Sequence, residues 1–134
     1  GNGHLEWERT YGGKGNDIAR CIVQTRDGGF AVAGVTSSSL SEGALFWVLK
    51  LDGKGHVEWE RTYEKWCFYA HSMVQTTDEG YAVAGAAFTP AFGAGSYDAW
   101  ILKLDQYGRI PVQQSERRPM RTLTGMRKAG SGLR

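Results

Sequence analysis

Two stretches of this chain are near copies of each other, and no other feature restricts the fold as much. Leu5-Glu6-Trp7-Glu8-Arg9-Thr10-Tyr11 returns as Val57-Glu58-Trp59-Glu60-Arg61-Thr62-Tyr63, identical at six of seven positions. The block Val23 to Gly34 returns as Val74 to Gly85 with nine of twelve identities, and Trp47-Val48-Leu49-Lys50-Leu51-Asp52 returns as Trp100-Ile101-Leu102-Lys103-Leu104-Asp105. The offsets are 52, 51 and 53, so residues are lost and gained only between the matched blocks. Length changes tolerated there mark the blocks as structural elements and the gaps as loops.

The blocks read as strands. Each unit of about 52 residues predicts four: near Ile18–Thr25, Phe30–Val35, Leu45–Leu51 and His56–Tyr63 in the first copy. In the second they fall near Tyr69–Thr76, Tyr81–Ala86 and Ala99–Leu104, with a faint fourth from Arg109 onward. Arg26-Asp27-Gly28-Gly29 supplies a hairpin turn with glycine where positive φ is needed. Phe30-Ala31-Val32-Ala33-Gly34 is almost continuously apolar or small, which implies a strand covered on both faces. Nineteen glycines, five tryptophans and six tyrosines suit short strands joined by tight turns, and helix periodicity is weak throughout. The expected fold is all-β, two four-stranded antiparallel repeats at about 3–55 and 56–112, of the kind that form β-propeller blades.

Three segments carry a resemblance: Trp-x-x-Thr-Tyr-Gly-Gly (7–13), Gln-Thr-x-Asp-Gly-Gly-Phe-x-Val-x-Gly (24–34) and Ser-Tyr-Asp-x-Trp-x-Leu-Lys-Leu-Asp-x-x-Gly (96–108). Over residues 3–110 the chain resembles a propeller-type repeat of long, often secreted or surface-located bacterial and archaeal proteins, many of them from thermophiles. That resemblance implies a β-propeller and an extracellular or cell-surface scaffold or binding role, with no catalytic residue and no cofactor to carry over. The chain departs from the pattern where Glu64-Lys65-Trp66-Cys67-Phe68 replaces the Gly-Gly-x-x-x-Asp of Gly12–Asp17, and where Leu45 stands in place of Asp98.

Two blades share one interface and leave two apolar faces uncovered, which is unfavourable in water. The expected partners are therefore further copies of this chain, closing a homo-oligomeric ring of six or eight blades, or further repeats of a longer chain. The start within a repeat, without methionine, fits the second case. The strand phase fits the first: a fourth strand, a whole unit, then three strands.

Charge is unevenly spread. Residues 1–112 carry ten Lys/Arg and thirteen Asp/Glu, whereas residues 113–134 carry six basic residues and one acid. The basic tail predicts a disordered segment, and it is the one part whose charge suits nucleic acid or an anionic surface. No apolar run approaches the ~20 residues of a membrane helix.

Candidate chemistry is sparse. The recurring tryptophans, Trp7/Trp59 and Trp47/Trp100, read first as packing and second as sugar-stacking platforms like those of lectin rings. Lys50 and Lys103 lie mid-strand in apolar surroundings and require a carboxylate partner such as Asp17, Asp27, Asp52, Asp98 or an equivalent. Departures from a repeat are the better site candidates, because folding does not dictate them. They supply the predicted ligand-binding residues Trp66, Tyr69 and His71, with Tyr97 at the end of the insertion at 88–97 and Asp98 next to it, for a glycan or protein ligand. Local repacking explains the same residues without a ligand. Cys21 and Cys67 are not repeat-equivalent and read as small thiols ahead of a disulfide. The three histidines lack metal-site spacing, Gly12-Gly13-Lys14-Gly15 lacks the continuation of a phosphate loop, and no nucleophile motif occurs, so the chain reads as non-enzymatic.

Overall fold

A computed structural model of the chain describes residues 2–37, 44–63, 67–89 and 96–111. The basic tail and Trp66 lie outside them. Seven strands make up the regular structure: β1 (Asp17–Gln24), β2 (Phe30–Thr36), β3 (Leu45–Leu51), β4 (Val57–Tyr63), β5 (Cys67–Gln75), β6 (Tyr81–Thr89) and β7 (Ser96–Leu104). The described residues contain no helix. All neighbours are antiparallel, in a four-stranded sheet ordered β1-β2-β3-β4 and a three-stranded sheet ordered β5-β6-β7.

The all-β architecture with repeat-matched sheets is as expected, and most of the faint fourth strand expected from Arg109 onward lies outside the described residues. The second sheet has three strands among the described residues, not four. After the turn following β7, Arg109, Ile110 and Pro111 carry no strand, and Pro111 has no N–H to give to a ladder. Residues 2–13 likewise belong to neither sheet.

Register repeats with the sequence. β1 and β2 pair as Cys21↔Ala33 and Ile22↔Val32, and β5 and β6 pair as Ser72↔Ala84 and Met73↔Val83. Both first strands bulge at the same repeat position, Arg20 and His71, and β5 has a second irregularity between Cys67 and Tyr69. The extra bulge falls where the second copy abandons the repeat.

The turns show why small sequence blocks recur. In the β1–β2 turn, Asp27 Oδ1 accepts from Thr25 Oγ1 at 2.5 Å and from Gly29 N at 2.9 Å; Asp78 does the same with Thr76 and Gly80. Gly28 has φ +87°, and its counterpart is Glu79 at φ +71°, the one non-glycine residue in that region among the described residues. In the β3–β4 turn, Asp52 Oδ1 accepts from the amides of Lys54 and His56, and Asp105 repeats this with Tyr107 and Arg109.

The two sheets stack face to face and approach most closely where β5 meets β1. Ala31, Ala33, Phe46 and Val48 from the first sheet meet Tyr81, Val83 and Leu104 from the second, with Trp100 and Leu102 packed against them. Alanines in β2 let the sheets come close, and Phe46 fills the gap, edge-on to Trp100 at 5.0 Å. The opposite face of the first sheet holds a second cluster, Trp47, Leu49 and Leu51, flanked by Tyr11, Phe30 and Val32. The central strand is thus apolar on both faces, although Phe30 and Val32 are only half-buried.

Candidate functional site

The predicted site residues separate by strand. Tyr69 and His71 lie on β5, and Tyr97 and Asp98 on β7, all at the side of the second sheet that begins β5 and β7. The structure brings three of them together. The rings of Tyr69 and His71 are 5.9 Å apart, and those of Tyr69 and Tyr97 are 6.2 Å apart. Tyr69 is 40% exposed and Tyr97 56% exposed. Asp98 is exposed and pairs in register with Ala87, across from Cys67.

A residue the sequence does not single out completes the patch. The Arg20 guanidinium sits 5.5 Å from the Tyr69 ring centroid. Arg20 occupies the bulge of β1, the position His71 occupies in β5. The bulges aim two chemically different side chains at one aromatic ring. An exposed cation over an aromatic face contributes about 0.5–1 kcal/mol. Exposed, tilted aromatic rings beside a guanidinium suit a flat ring, a sugar face or an aromatic side chain of a partner.

The second polar concentration lies at the turn end of the sheet interface. Asp27, Lys50, Glu58, Trp59, Gln75, Glu79, Tyr81, Gln106 and Tyr107 line an open cleft of about 450 Å³. At its floor Lys50 is 4% exposed and donates to Asp27 Oδ2 and Glu58 Oε1, each at 2.9 Å, and to the Leu51 carbonyl at 3.0 Å. Burial alone would push the Lys50 ammonium down, but the bonds to Glu58 and Asp27 outweigh it and hold the group above its ordinary value. The Thr25 hydroxyl first, then Lys50 and the Gly29 amide, pull the Asp27 carboxyl down to about 2. An ion pair for this lysine is expected from the sequence, and Asp27 is among the expected partners. Glu58 is not, because it falls in the irregularity of β4 beside Lys50, a placement visible only once β3 and β4 are in register.

In the second sheet Lys103 keeps the Asp78 partner, at 2.9 Å, and is 44% exposed. Asp78 is held well below the usual carboxylate range by the Thr76 hydroxyl and by Lys103. Among the described residues nothing takes the place that Glu58 holds beside Lys50.

A third arrangement joins one repeat to the next. From β4, Arg61 Nε donates to the Tyr107 carbonyl at 2.7 Å, and Tyr63 Oη donates to the Gly108 carbonyl at 2.6 Å. Trp59 lies edge-on to Tyr81 at 6.1 Å. Residues 5–11 repeat every part of this on the first sheet. Arg9 Nε donates to Lys54 O at 2.9 Å, Tyr11 Oη to Gly55 O at 2.6 Å, and Trp7 stands edge-on to Phe30 at 5.9 Å. Gly55 and Gly108 have φ of +84° and +78°, and a Cβ at either would lie 2.8 or 2.5 Å from the tryptophan ring above it. The tryptophans at 7 and 59 are therefore packing groups of a latch, consistent with the first of their two expected roles. Trp47 is buried and donates Nε1–H to Glu60 at 3.0 Å.

Cys21 is a free, half-buried thiol, and burial pushes its pKa up, which makes it a poor nucleophile. Among the described residues no three His, Cys, Asp or Glu side chains gather into a metal site. Comparison with family models, with curated proteins and with solved structures returns no match to this chain.

Proposed function

We propose that the chain is a non-enzymatic scaffold or binding module built from propeller-type blades, acting outside the cytoplasm as its resemblance implies. The latch supports this reading above all else. The side chains of a fourth strand reach across to the β3–β4 turn of the next unit, with the same three residue types and the same acceptors in both copies. A device that serves only to set one sheet upon the next is what an architectural repeat requires, and its chemistry is spent on main-chain carbonyls rather than on a substrate.

One observation favours a second reading, a lectin-like role. Tyr69, Tyr97, His71 and Arg20 present exposed π-faces and a cation together, as a sugar-stacking surface would. Tryptophan and tyrosine fluorescence titrated across a glycan array separates the two. A scaffold gives no saturable change with any glycan. Saturable quenching that Tyr69→Ala and Tyr97→Ala each weaken at least tenfold would replace the scaffold reading by the lectin reading.

A further inference from the structure

The geometry points to strand donation between chains: Leu5–Tyr11 of one copy adds to the edge of β7 in a second copy that no described residue pairs with, and becomes the fourth strand of its second sheet. This rests on the blade reading of the repeat and names the partner for it.

Three independent features lead there. The first is position. Residues 5–11 already sit on the first sheet as β4 sits on the second, through the same bonds from Arg9 and Tyr11 and the same tryptophan contact. β4 makes that latch while its backbone pairs with β3. Residues 5–11 make it with no ladder partner, and β7 is an edge strand among the described residues. An unpaired edge and an unpaired copy of the strand that covers such an edge are complementary.

The second is charge. β3 and β4 pair as Lys50↔Trp59, Leu49↔Glu60 and Val48↔Arg61. Transferred by the repeat, this sets Lys103 opposite Trp7, Leu102 opposite Glu8 and Ile101 opposite Arg9. Glu6 then reaches Lys103 as Glu58 reaches Lys50, supplying the second carboxylate that Lys103 lacks among the described residues. Glu8 likewise meets Trp100 as Glu60 meets Trp47. The chain's own continuation does not carry these groups: Pro111 stands at the Glu58 position, Val112 at that of Trp59 and Gln113 at that of Glu60.

The third is the faces. The observed interface joins Ala31, Ala33 and Val48, each 0% exposed, to Tyr81, Val83 and Leu104. On the outer side of the second sheet the equivalents are Ala82, Ala84 and Ile101, and Ile101 is 69% exposed. On the outer side of the first sheet the equivalents of the other half are Phe30, Val32 and Leu51. There Val32, Leu51, Trp47 and Ile22 line an open apolar cleft of about 540 Å³. The two outer faces are the two halves of the interface already formed inside the chain. Stacking them joins copies head to tail, a heterologous contact that propagates until it closes.

Light scattering on the full chain over a range of concentrations tests this. The expected result is an integral multiple of the monomer mass that falls on dilution. Glu6→Lys faces Lys103 with like charge and weakens association on the order of a hundredfold. Ile101→Lys, at a position exposed within the monomer, does the same through the apolar face. Both variants should keep the wild-type circular dichroism. Arg9→Cys with Ile101→Cys should give a ladder of linked chains on a non-reducing gel, whereas Glu8→Cys with Ile101→Cys, one register off, should not. A monomer at every concentration overturns the proposal, as does an assembly that neither Glu6→Lys nor Ile101→Lys weakens. Neither result bears on the glycan titration, so the two readings fail separately.

Discussion

At the scale of single residues, the two copies act as mutual controls. Glu79 occupies a left-handed backbone position whose counterpart is Gly28. An L-residue there costs about 1–2 kcal/mol relative to glycine. Glu79 recovers part of this through a 3.1 Å ion pair with Arg26, but both partners are about half-exposed and such pairs contribute under ~1 kcal/mol. Glu79→Gly should therefore stabilise by about 0.5–1 kcal/mol, and Gly28→Glu, with no such ion pair to offset the backbone cost, should destabilise by about 1–2 kcal/mol; paired thermal melts check both signs. A second consequence concerns acid. Asp27 titrates near 2 in the folded chain against an ordinary 3.8, so its contribution is complete above pH 4. It is lost as pH falls from about 4 towards 2. Asp27→Asn should lessen the fall in stability over that window without abolishing it, because Asp78, Asp52 and Asp105 are also held below the ordinary carboxylate value, as urea titrations at stepped pH would show.

At the scale of elements, the latch strand makes the next claim. Gly108→Ala adds a Cβ 2.5 Å from the Trp59 ring at φ +78°. It must lift the tryptophan and strain the turn, and a loss of about 2 kcal/mol follows. Tyr63→Phe, which removes only the bond to the Gly108 carbonyl, should cost about 1 kcal/mol. Chemical denaturation with near-ultraviolet circular dichroism reads both, the first with a changed aromatic signal and the second without. An equal effect from the two would mean that the tryptophan is not held by the turn. These elements also show what a sequence reveals and what it conceals. Apolar runs, turn glycines and doubled blocks mark the strands, because each is local. The latch is not local: Arg61 and Tyr63 sit 46 and 45 residues from their acceptors, and the repeated blocks show only that the residues matter, not to which carbonyl they donate. The same holds for the aromatic patch. Tyr69 and His71 stand out where the second copy abandons the repeat and Tyr97 at the end of an insertion, whereas Arg20 looks like an ordinary residue of the regular copy. It reaches Tyr69 from a bulge of β1 across the contact between the sheets, a backbone feature without a sequence mark here.

At the scale of the whole molecule, the question is whether two sheets make one cooperative unit. The main cluster takes residues from both sheets, so neither keeps its apolar face without the other. Phe46 is the joint. It is 0% exposed, 5.0 Å from Trp100 of the second sheet and 5.3 Å from Tyr63 of its own. Phe46→Ala removes a fully buried ring between layers and should cost about 3–5 kcal/mol. That is a large part of the stability of a domain this size. Because the cavity opens between the sheets, the loss should fall on both. Amide hydrogens of β2 and β6, the central strands, should lose protection together and by the same factor in Phe46→Ala. Independent sheets would behave differently: β2 would weaken while β6 kept its wild-type exchange, and melting would resolve into two steps. Joint loss would make the stacked pair of sheets the smallest folding unit of the repeat. Each additional unit would then be stabilised by the face it covers as well as by its own hydrogen bonds.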